Sequence, residues 1–181
     1  MKRFQTRQFI SAQWNRLLLG CVLALPMATL VALPAKSQRP IRLTSLTCYD
    51  VAGDLRISDQ ARDVVVSRQF YPATIELSVW GLSLGSRHEL ACKLPPNSQT
   101  LSLTLVFDDR IDQNSAWTLN FYVDGRSAGR ASVQSGARQP VRIDLSGGSS
   151  LTIEVIWRSG SPRLYSTEAE IQLRPGSGRR P

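Results

Sequence analysis

Hydrophobic and polar residues take turns along most of this chain with a period of two. In the stretch 117–126, Trp117, Leu119, Phe121 and Val123 fall on one side of an extended chain, and Thr118, Asn120 and Tyr122 on the other. That is the pattern of a strand with one buried face. Asp124-Gly125 follows, the pair that accepts the positive φ of a two-residue hairpin turn. The same rule places Ile75, Leu77 and Val79 inward over 73–82, with Thr74, Glu76, Ser78 and Trp80 outward. It places His88, Leu90, Cys92 and Leu94 inward over 87–94, and Leu101, Leu103, Leu105 and Phe107 over 99–107. Val141, Ile143 and Leu145, then Leu151, Ile153, Val155 and Trp157, form two more inward rows. The segment 126–133 is the hairpin partner of the Trp117 strand, with a register that its small, polar residues do not set, and 168–173 closes the series. Upstream, 41–49 reads as a strand, 50–63 as an acidic, turn-rich loop, and 64–66 as a short strand.

About nine or ten short strands with turn signals between them, and no segment of helical period after residue 37, predict an all-β fold. One inward and one outward face per strand means antiparallel pairing. The expected architecture is an antiparallel two-sheet β-sandwich of the jelly-roll kind.

Residues 1–37 are of another character. Lys2, Arg3, Arg7 and Arg16 precede an apolar run over 17–33, and Ala35-Lys36-Ser37 offers small residues where a signal peptidase reads them. This order predicts a cleavable export signal, cut after Ser37. Two alternatives remain open. Leu18-Leu19-Gly20-Cys21 resembles a lipobox, and an uncleaved anchor would use a 17-residue run that Pro26 interrupts and that is at the short limit for a membrane span. The predicted organisation is a signal at 1–37, one β-sandwich domain at 38–173, and a Gly/Pro/Arg tail at 174–181 whose composition favours disorder. The mature protein is expected to be secreted or periplasmic and not to span a membrane.

Export changes the meaning of the charge. The chain has 22 basic and 14 acidic residues, but five of the basic ones (Lys2, Arg3, Arg7, Arg16, Lys36) lie in the signal, leaving 17 against 14. Arg174, Arg179 and Arg180 of the tail account for the surplus, so no nucleic-acid partner is predicted. Of three cysteines, Cys21 lies in the signal, and Cys48 and Cys92 both fall on apolar faces. In an oxidising compartment they are expected to form a disulfide, the alternative being two buried thiols. One histidine and no CxxC or HExxH spacing predict no zinc site.

Candidate chemistry is sparse. The run 81–85 has the G-x-S-x-G form of a nucleophile elbow around Ser83, but no helix follows it and the only histidine is five residues away, so no enzyme is predicted. Asp108-Asp109-Arg110, with Asp112 behind, ends a strand. Adjacent residues there point to opposite faces, which excludes a facing glycosidase pair. The cluster reads as a solvated turn, with a loop calcium site or contacts to sugar hydroxyls as the sharper alternatives. His88 alternates with leucines and reads as a buried, hydrogen-bonded side chain. Trp80 shares a wet face with Thr74, Glu76 and Ser78, so it either packs beneath a loop or offers a flat plate for sugar C–H groups.

The order Ser86-Arg-His-Glu-Leu-Ala-Cys-Lys-Leu94, a strand ending in Asp108-Asp109, the Val123-Asp124-Gly125 hairpin, and Leu145-Ser146-Gly147 before Leu151-Thr-Ile-Glu-Val155 resembles the NPCBM family over 73–173. Glu89 and Phe107 depart from its pattern. The resemblance implies a galactose-binding-like jelly roll that binds carbohydrate, without a catalytic site or cofactor. The expected function is an exported, non-catalytic carbohydrate-binding module with Trp80, His88, Asp108, Asp109, Arg110 and Asn114 as ligand residues. The alternative is a structural or protein-interaction domain of the cell envelope.

Overall fold

A computed structural model describes residues 39–80 and 85–175. The predicted signal and its cleavage point, Ser83 with most of its motif, and the end of the tail lie outside the described residues. The strands, in chain order, are β1 (Ile41–Arg42), β2 (Cys48–Ala52), β3 (Asp54–Val66), β4 (Gln69–Trp80), β5 (Arg87–Lys93), β6 (Ser98–Val106), β7 (Ala116–Val123), β8 (Arg126–Gln134), β9 (Arg138–Asp144), β10 (Ser150–Ser159) and β11 (Arg163–Leu173). Two antiparallel sheets form a sandwich. The first has the order β3-β4-β11-β6-β9, with β1 also on β11, and the second β2-β5-β10-β7-β8.

The inward rows meet between the sheets. Ile75, Leu77, Val79, Leu101, Leu103, Leu105, Ile143 and Leu164 from the first sheet pack with Leu90, Leu119, Phe121, Val133, Leu151, Ile153 and Val155 from the second. Each such side chain, fully buried, contributes about 1.5–3 kcal/mol. Phe107 and Trp117 meet edge to face, ring centroids 6.2 Å apart, and the Trp117 indole N–H donates to the Ser161 carbonyl at 3.0 Å. The β7–β8 turn is as expected: Asp124 and Gly125 take φ of 48° and 74°. Its register, which sequence left unset, pairs Leu119 with Ala131 and turns Ala131 and Val133 inward. Cys48 and Cys92 face each other across β2 and β5 and are joined by a disulfide.

Three expectations are corrected. The segment 50–63 is not a loop: it forms part of β2 and most of β3, which pairs with β4 along its length. β3 lies at the edge of its sheet, where a wet face accommodates Asp54, Arg56 and Ser58 and such charge discourages further pairing. The segment 41–49 is not one strand. β1 pairs with β11 of the first sheet and β2 with β5 of the second. A single 3-10 turn at Leu43–Ser45 carries the crossing and buries Leu43 completely. Finally, β11 begins at Arg163 rather than near 168 and is an interior strand.

The β3–β4 ribbon has a further property. Its ladder shifts between Asp59 and Arg62, and such a bulge bends a strand. Beyond the bend the ribbon becomes an arm. Its Val64, Val66 and Ala73 pack on Val106 and Tyr165, a cluster separate from the main core. Val106 and Tyr165 alternate with core-facing Leu105 and Leu164, so the arm lies on the outer face of the first sheet. β4 pairs with β11 only at 163–166, and β1 pairs with β11 at 170–171.

Candidate functional site

Trp80 is the last residue of β4 and is 55% exposed, because the alternation that buries Ile75, Leu77 and Val79 turns it outward. Residues directly opposite in an antiparallel ladder share a face. Asp54 therefore stands beside Trp80 and Arg56 beside Ser78, and β11 brings Arg163 to the other flank of Ser78. Arg56 Nε lies 3.0 Å from Asp54 Oδ1, and Arg163 Nε 3.7 Å from Glu76 Oε1. A small cleft of about 110 Å3 runs beside the indole, lined by Ser78, Val79, Trp80, Pro162 and Arg163. The group is an exposed apolar plate edged by guanidinium, carboxylate and hydroxyl groups on three strands. It can stack on the C–H face of a ring and bond to the hydroxyls around it.

His88 supports this place from below. It is buried, its Nδ1 accepts the backbone N–H of Asp54 at 3.2 Å, and Nε2 lies 2.9 Å from Ser86 Oγ. Acceptance at Nδ1 puts the proton of the neutral ring on Nε2. Both nitrogens are thus engaged, and the ring holds Asp54 in position next to Trp80. Asn114 is exposed, with φ of 64°. Its carbonyl accepts from Ser159 Oγ at 2.8 Å, while the Ser115 hydroxyl accepts the Ser161 N–H at 2.7 Å. Its loop therefore braces the turn that leads into Pro162 and Arg163. Trp80, His88 and Asn114 are linked in this way through backbone groups.

Asp108, Asp109 and Arg110 are gathered elsewhere, at the arm. Asp108 has no exposed surface, so the expectation of a solvated turn is corrected for it. Its Oδ1 lies 2.9 Å from Arg110 Nε and its Oδ2 2.6 Å from Arg110 Nη2. Val65 and Arg110 donate backbone N–H groups, and Arg62 adds a second guanidinium at 3.3 Å. Burial pushes the Asp108 carboxyl up, but the Arg110 guanidinium and these N–H groups outweigh it and hold the carboxyl below the ordinary range. Asp109 accepts the N–H of Ser67 at 2.7 Å and that of Gly136 at 2.8 Å, tying the arm tip to the β8–β9 turn. Arg110 also donates to the Asp63 carbonyl. Asp112, by contrast, is raised by burial, with only partial relief from its bonds to Ser161 and to the Asp108 N–H. Among the described residues no group of three or more His, Cys, Asp or Glu side chains is placed to hold a metal ion.

Asp54, Arg56 and Arg163 were not anticipated at the plate. The signal was present, since Leu55 and Ile57 alternate with Asp54, Arg56 and Ser58, but an acidic, turn-like composition masked it. A wider cleft of about 530 Å3 opens at the bend of the arm, and no aromatic side chain lines it. It therefore offers polar contacts without a stacking surface.

No protein-family model matches the chain, and no curated protein matches it. Its fold is similar to that of solved carbohydrate-binding domains. One structure holds the CBM51-2 and INT domains of Clostridium perfringens ZmpB (TM-score 0.56, 10% identity, 76% of this chain and 32% of that one). Another is CBM51 from Clostridium perfringens GH95 in complex with methyl-galactose (TM-score 0.54, 11% identity, 74% of this chain and 100% of that one). A third is CBM51-2 of ZmpB in complex with GlcNAc, with its INT domain (TM-score 0.53, 10% identity, 76% and 32%). The chain thus spans about a third of the first and third of these structures and the whole of the second.

Proposed function

We propose that this chain is an exported, non-catalytic carbohydrate-binding module of the galactose-binding-like, NPCBM kind, acting at the cell envelope or outside the cell. The observation that carries the reading is Trp80, a tryptophan more than half exposed at the end of β4 and edged by Asp54, Arg56, Ser78 and Arg163. Similar folds solved in complex with methyl-galactose and GlcNAc support the ligand class. The basic, then apolar, leader and the Cys48–Cys92 disulfide support export. In this reading Trp80 stacks on a sugar ring and Asn114 reaches it from the adjoining loop. His88 positions Asp54, while Asp108, Asp109 and Arg110 hold the arm. A His88 committed at both nitrogens is not free to act as a general base.

Residues 38–181 would be screened on a glycan array, with and without calcium, and Trp80→Ala compared on whatever is bound. The expected result is loss of retention on the matching polysaccharide with a melting temperature close to the parent's. Retention unchanged by Trp80→Ala, or a large fall in melting temperature that marks Trp80 as core, overturns the assignment of the plate.

A further inference from the structure

The outer face of the second sheet is organised in a way that the Trp80 plate does not account for. The ladder aligns Tyr49, Ala91, Thr152 and Tyr122 in one row across β2, β5, β10 and β7. All four fall on the outward side of their strands, opposite in phase to Cys48, Leu90, Cys92, Leu151, Ile153 and Phe121. The row has a tyrosine at each end and small, half-buried side chains between them. Three strand spacings separate the backbones that carry the two tyrosines, about 14 Å at roughly 4.8 Å each. The result is a shallow trough floored by Ala91 and Thr152.

The rings differ in how they are held. Tyr49 is 68% exposed on the edge strand. The Tyr122 hydroxyl donates to Glu154 Oε2 at 2.7 Å. Glu154 lies on the neighbouring strand, two residues beyond the Thr152 partner of Tyr122 and so on the same face. That bond fixes the phenol on the β10 side of β7, with the ring half-buried. Glu154 is itself only 3% exposed, unusual for a carboxylate on the outer face of a sheet. Arg87 covers it, Nε being 3.1 Å from Glu154 Oε1 and 2.7 Å from Glu89 Oε1. In the next row Glu89, Asn120 and Arg130 make a hydrogen-bonding wall along the trough, while the buried Glu154 is committed to Tyr122 and Arg87.

We propose that this face is a second carbohydrate contact, taking several consecutive rings of a neutral glycan chain laid across the strands. The aromatic ends stack on the flat faces of two rings, the small floor admits the rings between them, and the wall bonds to their hydroxyls. The charges select the class of chain. Arg87 is paired with both Glu89 and Glu154, and with Lys93 beside Ala91 and Arg130 in the neighbouring row the face carries charges of both signs and not the continuous run of cations that a polyanion needs. The length selects a chain over a single sugar. The proposal shares its ligand class with the Trp80 reading but stands or falls separately.

The test is affinity electrophoresis of residues 38–181 through gels containing galactan, mannan or xyloglucan, with circular dichroism melts of every variant. Trp80→Ala, Tyr49→Ala, Ala91→Arg (which fills the trough) and the double variants are compared. At least one polysaccharide is expected to retard the Trp80→Ala protein, and free galactose is expected not to reverse this. In that background Tyr49→Ala should weaken retardation roughly tenfold, the loss typical of truncating one aromatic anchor, and Ala91→Arg should abolish it without lowering the melt. Retardation lost with Ala91→Arg but untouched by Trp80→Ala supports this face and removes the Trp80 plate. Three results overturn the proposal: no retardation of the Trp80→Ala protein on any gel, full retardation of a folded Ala91→Arg protein, or a dimer in sedimentation that Ala91→Arg dissociates, which would make the face a contact between copies.

Discussion

Asp108 and Arg110 form a two-point ion pair at 2.9 and 2.6 Å, with the carboxylate wholly buried and the guanidinium about half exposed. Through the Val65 N–H bound to the same carboxylate, the pair fastens the arm to the sandwich. Asp108→Asn keeps the shape but leaves two guanidiniums short of their partner. Because both arginines retain access to water, the cost is expected to be about 2 kcal/mol, below that of a fully buried pair. Urea unfolding at pH 7 measures it. The Asp108 carboxyl is held below its ordinary value, so its contribution is complete above about pH 3.9, the ordinary carboxylate value, and is lost as pH falls through the lower folded value. The gap between parent and variant should therefore close in acid. A gap independent of pH would mean that the charge is not what holds the arm.

Asp112, four residues on, points the other way. Burial raises its carboxyl, so the folded state favours the protonated form, and that preference stabilises only until pH rises through the folded value. Above it, keeping the buried group ionised is a net cost. Asp112→Asn retains an oxygen to accept the Asp108 N–H and removes the charge. It is expected to raise the melting temperature at pH 7 and to give no gain at pH 3. Melts at the two pH values decide it, and a variant less stable than the parent at pH 7 would show that the ionised oxygen is needed.

The strands that carry strict alternation were legible from the chain. The inward rows Leu101 to Phe107, Trp117 to Phe121 and Leu151 to Val155 are buried as their spacing requires, with Val123 partly buried at the turn, since side chains at every second position of a strand share a face. The outward setting of Trp80 was legible for the same reason. What composition concealed was the edge. Asp54, Arg56, Asp59 and Arg62 look like a loop because an edge strand with one wet face can carry charge freely, and this hid half of the Trp80 surroundings. The role of Asp108 was hidden differently. Its partners Arg62 and Val65 come from 40 or more residues upstream, and only the bend at Asp59/Arg62 brings them within reach. Separation of that kind leaves no local trace in a sequence.

The disulfide Cys48–Cys92 pins the edge strand β2 to β5. With a sequence separation of 44 between the cysteines, chain entropy puts its contribution at about 4 kcal/mol. Cys48→Ser with Cys92→Ser is expected to lower stability by about that amount in denaturant unfolding. β2 also carries Tyr49, so hydrogen exchange should accelerate in β2 before the interior strands. Uniform acceleration across both sheets would mean that the bond stabilises the whole fold and not its edge.

Gly53 joins β2 to β3 at φ of +76°, and a Cβ there would come within 2.2 Å of His88 Nδ1. Two costs are thus combined: a left-handed backbone that an alanine enters at a penalty, and a collision with a buried ring whose other nitrogen is fixed by Ser86. Gly125 separates them, since it has nearly the same φ, +74°, and open space around its Cβ position. Gly125→Ala should cost about 1 kcal/mol, the backbone part alone. Gly53→Ala should cost about 2–3 kcal/mol in the same unfolding assay. It should also displace the His88 ring and break its bond to the Asp54 N–H, seen as a shift in the imidazole resonances that Gly125→Ala does not produce. Asp54 would then move away from Trp80, so sugar retention at the plate should fall with Gly53→Ala and persist with Gly125→Ala. Equal losses of stability for the two alanines would mean that the His88 contact is slack, and that the ring does not hold Asp54 in place.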